Sequence, residues 1–329
     1  MLASIQKIEK LESIPNADKI ETASVLGWKC VVQKGEFKEG DSCVYITIDS
    51  IVPDIPQFSF MKDRHFRVKT IKLRGQISCG LSLPVSLFPN LGNLAIGADV
   101  TDLLGIVHYY KPIPAQLAGK IKGDFPGFLR KTDEERVQNV PGFLDRHKDK
   151  TFYVTEKLNG TSATYYFKEG QFGVCTRNLE LIEDESNIYW KVSKELDLPN
   201  KMAAWGNDFS IQGELAGMGI QKNPYNLPNV QFFAFQIFDI KNHRYLDFKD
   251  FQNMCEKWGV QIVPILETDF VLKHTMEELI EKSKGTSTLN PKILREGIVL
   301  RGIVEDRDEE VGRVSIKAVN PDYLLKNKE

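Results

Sequence analysis

The first 110 residues constrain the fold most, because their apolar residues come only in short runs between turn signals. "ETASVLGWKCVVQ" (21–33), "GDSCVYITIDSIVP" (40–53) and "HFRVKTIKLRGQISCGLSLPV" (65–85) follow one another this way. Such spacing predicts many short strands closed into a small barrel or sandwich. Within "HFRVKTIKLRG" the residues alternate: His65, Arg67 and Lys69 share one face, and Phe66, Val68 and Thr70 the other. A basic strand face on a small barrel would make a nucleic-acid groove. The competing reading is an edge strand whose lysines guard against unwanted pairing.

From 111 to 150 the chain turns rich in Pro, Gly and charge. It reads as a linker followed by a short helix over "TDEERVQN", with Thr132 or Asp133 as N-cap. Beyond 151 the pattern is mixed. Strands are expected at 152–158, 162–168, 171–176, 210–215, 230–240, 297–303 and 311–318, and helices near 183–196, 248–258 and 275–284. The run "EDRDEEVG" (305–312) reads as a solvated hairpin turn. A chain of 329 residues, 42% hydrophobic, fits about two domains with real cores. Its five cysteines form no C-x-x-C pair, which argues against a zinc site or a disulfide framework and for buried free thiols in a reducing, cytoplasmic setting. No run of 18 apolar residues predicts a membrane span, and the charged N-terminus does not read as a secretory signal. A net charge of −2 means that nucleic acid would be met by local patches and not by bulk charge.

K-x-x-G occurs at Lys72, Lys120, Lys157 and Lys282, so the motif alone selects nothing. Context selects Lys157. In "YVTEKLNGTSATYYF" (153–167) it ends one apolar strand and faces the turn into the next. After it come, in order, "TRN" (176–178), "QGELAG" (212–217), "FFAFQIFDI" (232–240), "REGIVLRG" (295–302) and "VSIKAVN" (314–320). Each sets a polar group in or beside an apolar strand. Burying charge is costly unless it is paired or binds a ligand, so several such residues of both signs indicate a pocket for a charged ligand.

This ordered set resembles the covalent nucleotidyltransferase superfamily, the ligases and capping enzymes that link a nucleotide to a lysine. "EKLNG" resembles motif I, "GEL" the central carboxylate motif, "FFAFQIF" the aromatic motif, "EGIVL" motif IV and "SIKAV" motif V. "KTDEERVQN" and "NPDYLLK" resemble the RNA ligase branch, and "SIPNADKIETASVLGWKCVVQKGEFKEGDSCVYI" the OB-fold domain of the RNA ligase 5 group. DNA ligases and capping enzymes carry an OB domain after motif V, whereas only residues 318–329 follow Lys317 here and the small β domain lies in front. The resemblance therefore implies an α+β chain: a five-stranded OB-type β-barrel over 1–110, then a nucleotidyltransferase domain of antiparallel sheets flanked by helices over 111–329.

It also implies a mechanism. Lys157 would attack the α-phosphorus of ATP to give lysyl-AMP; AMP would pass to an RNA 5′-phosphate, and a 3′-OH would attack last. A free lysine is a poor nucleophile near pH 7 and needs a cation, a metal or desolvation to lower its pKa. Lys317 would stabilise the α-phosphate, and Glu214 and Glu296 would hold Mg²⁺ or Mn²⁺. Phe235, or Phe238 in a shifted register, would stack on adenine. Glu156 would recognise adenine or the ribose edge, Arg177 the ribose or a phosphate, and Arg136, in the upstream helix, phosphate oxygens. Asn159 and Gly160 complete motif I. Taken singly, Phe235 reads as a core aromatic, Arg177 and Arg136 as surface ion-pair residues, and Glu214 and Glu296 as strand-end carboxylates.

Two departures stand out. Lys317 has Ser315 before it and Val319 after it, so one lysine of the K-x-K common at motif V is absent, and Gln236 stands where some relatives have an acid. The five histidines form no pair at ligand spacing. The expectation is a monomeric RNA ligase sealing breaks with 3′-OH and 5′-phosphate ends, nicks in duplexes above all. The alternatives are an OB-type RNA-binding protein with an inactive nucleotidyltransferase body, a DNA ligase or a capping guanylyltransferase.

Overall fold

Short apolar runs broken by left-handed turn residues give the first unit its strands. The structure, a computed structural model, describes residues 1–15, 17–109, 119–140, 142–206 and 208–327. The chain divides into Met1–Pro112 with Pro321–Glu329, and Ile113–Asn320. Of the linker expected from 111 onward, residues 111–118 lie outside the described residues, as does the boundary at 110/111, while Ile121–Asp124 is a strand of a sheet and not linker.

In the first unit the strands are β1 (Ala3–Lys7), β2 (Lys10–Ser13), β3 (Ile20–Val25), β4 (Trp28–Gln33), β5 (Ser42–Ile46), β6 (Ser50–Ile51), β7 (Arg67–Val68), β8 (Ile71–Leu73), β9 (Gln76–Ser78), β10 (Leu81–Pro84) and β11 (Val107–His108). They pair as β1-β5-β10, β2-β3-β4, β11-β6-β7 and β8-β9. Cys79 N–H donates to Lys29 O at 2.7 Å and ties the β9–β10 connection to β4, so the sheets wrap as a small barrel. Its core joins Ile5, Val44, Ile46 and Leu83 to Phe58 and Met61 of a 3-10 segment. The single alternating strand expected from His65 onward does not form. His65 and Phe66 take positive φ, 50° and 57°, which ends extended geometry and leaves the two-residue β7. Arg67 lies 3.6 Å over the Tyr109 ring and 3.5 Å from Asp49, while Lys72 and Arg74 of the β8–β9 hairpin are exposed.

The second unit holds β12 (Ile121–Asp124), β13 (Glu135–Arg136), α1 (Gly142–Arg146), β14 (Thr151–Lys157), β15 (Thr161–Lys168), β16 (Gln171–Cys175), β17 (Leu179–Leu181), α2 (Ile188–Glu195), α3 (Leu198–Trp205), β18 (Phe209–Ala216), β19 (Gln231–Asp239), β20 (Arg244–Tyr245), α4 (Phe248–Trp258), β21 (Gln261–Ile262), β22 (Ile265–Val271), α5 (Met276–Ser283), β23 (Gly297–Gly302) and β24 (Ser315–Val319). The last helix, α6 (Pro321–Asn327), groups with the first unit. Eight strands form one sheet, β12-β17-β16-β15-β18-β19-β20 with β21 on β19; five form the other, β13-β24-β23-β14-β22.

Strand alternation gives each sheet one face packed on helices and an opposite face that carries the polar groups. On the eight-stranded sheet Tyr165, Ile211 and Phe232 pack against Trp190 of α2, Met202 of α3 and Phe251 and Trp258 of α4. Ser162, Thr164, Gln212 and Glu214 alternate to the opposite face. On the five-stranded sheet Phe152, Val154, Ile298, Leu300 and Ile316 pack with Phe143 of α1 and Leu279 of α5. The register sets Thr155, Lys157, Arg301 and Lys317 on the other face. These two polar faces supply the groups of the candidate site.

Two expectations are corrected. "TDEERVQN" is not a helix: Glu135 and Arg136 form β13, parallel to Ile316 and Lys317, and Val137–Asn139 is one 3-10 turn. Edge pairing with β24 and burial of Val137 and Gln138 outweigh the local helix signal. The 305–312 run does join β23 to β24, but it is not solvated throughout. The Asp308 side chain is 2% exposed, held by Arg146 at 2.9 Å and His147 at 2.6 Å, and the strand expected from 311 begins only at Ser315. No helix among the described residues is long and apolar enough to cross a membrane.

Candidate active site

Lys157 closes β14 opposite Gly297 of β23. A Cβ on Gly297 would lie 2.3 Å from Ala318 O, so this level of the sheet has no room for a side chain beside the lysine. The turn that follows lies against β18. A Cβ on Gly160 would come within 2.2 Å of Leu215 O and 2.8 Å of Glu214 Cγ, so the glycine lets the turn approach Glu214. Asn159 N–H donates to the Tyr225 hydroxyl at 2.5 Å and pins the turn from the other side. Lys157 Nζ donates to Oε1 of Glu296, the residue just before β23.

The cations converge by register. Lys317 lies opposite Val299, two residues along β23 from the Lys157 level, and Arg136 lies beside Lys317 on β13. Arg136 therefore acts from a strand and not from the expected helix. Burial, then the charges of Arg136 and Lys157, push the Lys317 amine down to about 8, with Asp133 opposing. Asp133 also accepts from Arg177 Nε at 3.2 Å, and the Arg177 charge is felt at both Lys317 and Glu214. Such a cluster of cations suits a polyphosphate.

Burial pushes the Glu214 carboxyl up to about 8; Lys157 pulls it down and Glu296 pushes it further up. Two carboxyl groups near enough for the Glu296 charge to act on Glu214 are the oxygen donors a hard divalent cation uses. Among the described residues no group of three or more side chains of metal-ligand type is gathered. The pair therefore fits a cation that keeps waters and takes phosphate oxygens, as Mg²⁺ does.

The aromatic strand resolves between its two candidates. In the β18–β19 ladder Gln212 pairs with Gln236 and Gly213 with Ala234, so Phe235 is the extra residue of a bulge. Bulges re-aim side chains beside functional sites. Phe235 stays partly exposed and packs beside Leu158 and Tyr225, next to the Lys157 turn. Phe238 is 1% exposed in a separate cluster with Leu129, Tyr166 and Cys175, so the shifted register is overturned. Glu156 alternates to the face opposite Lys157. Its Oε2 accepts from Thr288 N–H at 2.7 Å, while its buried Oε1 has no hydrogen-bond partner among the described residues.

Both departures have local explanations. Gln236 is buried; its Nε2 donates to Gln212 Oε1 at 2.7 Å and its Oε1 accepts from Arg313, a pair of roles that an ionised acid could not fill. Ser315 lies directly across from Arg301. Sequence reasoning missed Glu134, Arg301, Glu305 and Arg313, which knit this region together. Arg301 donates to Glu134 at 3.0 Å, and Arg313 reaches Glu305 by two bonds of 2.8 Å. The available signal was Arg301 itself, a charge inside the apolar run "EGIVLRG". A cavity of about 850 Å³ opens beside Glu134, Gln236, Arg313 and Ser315.

The RNA ligase family profile matches residues 150–319, and an OB-fold domain profile matches residues 2–85. The chain is similar to Naegleria gruberi RNA ligase in several solved forms. A lysine-to-alanine variant with ATP and Mn is 37% identical, covers 100% of this chain and 99% of its own, and superposes with a TM-score of 0.90. A glutamate-to-alanine variant with AMP and Mn is 37% identical over 99% of each chain, TM-score 0.90. The same enzyme with PPi is 37% identical over 99% and 98%, TM-score 0.89. Comparison with curated proteins gives no match.

Proposed function

The chain belongs to the RNA ligase family, and on that footing we propose that it seals nicks in RNA-containing duplexes, using Lys157 as its nucleophile. It is an ATP-dependent RNA ligase that works through an AMP intermediate, with Mg²⁺ or Mn²⁺ as its metal.

The observation that carries the residue assignment is the position of Lys157. It stands at a strand end, against Glu296; its charge acts on Lys317, as do those of Arg136 and Arg177, and both it and Arg177 act on Glu214. The neutral amine attacks the α-phosphorus of ATP, a P–N bond forms as the bond to pyrophosphate breaks, and the amine's proton leaves to solvent. Lys317, Arg136 and Arg177 neutralise charge on the phosphates as it moves from the α-phosphate to the leaving group. A divalent cation on Glu214 and Glu296 would supply Lewis-acid neutralisation of phosphate oxygens. Phe235 offers its ring to adenine, and the open acceptor Oε1 of Glu156 suits an amino group on the base or a ribose hydroxyl. Asn159 and Gly160 hold the turn that presents the lysine. In the second step an RNA 5′-phosphate displaces Lys157 from AMP. In the third a 3′-OH displaces AMP and the strand closes.

The test is label transfer. Wild-type protein with α-labelled ATP and Mg²⁺ or Mn²⁺ yields a labelled band on a denaturing gel, and Lys157→Ala yields none. No band with either metal would overturn the assignment of this site; a band retained by the variant would move it to another lysine. We place the enzyme in RNA repair, as a monomer in the cytoplasm. Support for that setting is the five buried free thiols, which suit a reducing compartment.

A further inference from the structure

The adenine platform has a support that the ligase chemistry alone does not call for. Arg301 lies on the polar face of β23, level with Tyr153 of β14 and Ser315 of β24. It is 3% exposed. Its guanidinium carbon sits 5.2 Å from the centroid of Phe235, within the range where a desolvated cation holds an aromatic face. The fork is not free to turn. Nε and Nη2 both lie 3.0 Å from Glu134 Oε1, and Nη1 donates to Thr155 Oγ1 at 3.4 Å. Glu134 is itself enclosed, and the charges of Arg301 and Arg313 hold its carboxyl below the ordinary range against the cost of burial.

Phe235 needs such a support because it is the bulged residue of β19. Opposite the bulge the β18–β19 ladder gives it no cross-strand partner among the described residues, so its ring is fixed by what touches it and not by strand register. We infer that Arg301, locked in place by Glu134, is a positioning residue that holds the Phe235 ring in the orientation that receives the purine base. The inference rests on Phe235 being the adenine platform. A buried ion pair kept only for the fold would make the same hydrogen bonds, so the test has to separate base binding from folding.

The experiment measures lysyl-AMP formation against ATP concentration, with adenosine and pyrophosphate as separate competitors. The proteins are wild type, Arg301→Met, Glu134→Gln and the double variant, each with a thermal melt. Positioning through the ring predicts a KM for ATP and a Ki for adenosine raised about tenfold in each single variant, since a desolvated cation–ring pair is worth an effect of that order. The Ki for pyrophosphate and the rate at saturating ATP stay near wild type. The double variant is no worse than the singles, because both act through one ring. Equal losses for adenosine and pyrophosphate, or no change in either, would overturn the inference. If the single variants do not fold, Arg301→Lys, which keeps a cation over the ring, decides. It should hold adenosine within about threefold of wild type, and a full loss there would sink the idea. Adenosine binding by calorimetry reads the platform without any covalent step, so a failure of the lysine assignment would remain distinguishable.

Discussion

At the scale of the residue, the site's chemistry is written in two displaced protonation equilibria. Lys317, pushed down to about 8 by burial and by Arg136 and Lys157, is charged in the empty site only below that pH. Phosphate favours the charged form, so binding above pH 8 requires proton uptake, and the KM for ATP should rise about tenfold per pH unit there. Lys317→Arg, which stays charged, should flatten the curve. A level wild-type profile from pH 7 to 10 would remove Lys317 from the phosphate pocket. Glu214 is displaced the other way, from 4.5 up to about 8. A carboxyl raised on folding lends stability below its unfolded pKa and loses it as pH climbs through the folded value. The metal-free protein should therefore melt lower at pH 8 than at pH 6, and Glu214→Gln should remove most of that slope. A divalent cation binds the ionised form, so Mg²⁺ should raise Tm more at pH 8 than at pH 6. An equal Mg²⁺ effect at both pH values would place the metal elsewhere.

At the scale of the element, the connection from β23 to β24 is anchored and not loose. Asp308 accepts from Arg146 at 2.9 and 3.0 Å and from the N–H groups of Glu310 and Val311 at 2.9 and 3.0 Å. Its cover is thin, since Arg146 is itself 40% exposed. Asp308→Ala should cost about 2 kcal/mol, the usual effect of stranding several donors. Urea unfolding measures it, and a change under about 0.5 kcal/mol would return the loop to the solvated class. Arg146 and its neighbours hold the Asp308 carboxyl well below the usual range, so this stability should fade as acid protonates it. The run "EDRDEEVG" conceals this because the partners of Asp308, Arg146 and His147, lie 162 and 161 positions earlier and no local pattern announces them. The same rule divides the legible from the illegible elsewhere. Helix α4 matches its expected span because Gly259, with φ 64°, ends it. Helix α5 carries a capping box between Thr275 and Glu278. Both signals are local. Strand β13 reads locally as helix, because only β24, brought alongside by the fold, makes Glu135–Arg136 extended. The choice of Phe235 over Phe238 depends on a bulge, which is a property of the ladder and not of either strand.

At the scale of the whole molecule, every group assigned to lysine charging falls within Ile113–Asn320, and the first unit is left for a different task. Its β8–β9 hairpin exposes Lys72 and Arg74 at a turn where Arg74 and Gly75 take φ of 48° and 87°. Of the basic face expected from His65, Arg67 and Lys69, Arg67 is already committed to Tyr109 and Asp49. Two exposed cations on a hairpin tip suit the sugar–phosphate backbone, which is bound by charge and without regard to sequence. Charging and joining should then separate. Lys72→Ala with Arg74→Ala should form lysyl-AMP at the wild-type rate, yet join a nicked duplex several-fold more slowly. The salt dependence of joining should fall by about one unit for each phosphate that is no longer neutralised. The same nicks, ending in ribose or deoxyribose at the 3′-OH, report the substrate class, and equal sealing of an all-DNA nick would contradict the proposed RNA specificity. If the double variant slows charging as much as joining, the barrel serves ATP and not RNA, and the polynucleotide must be gripped by the catalytic unit itself.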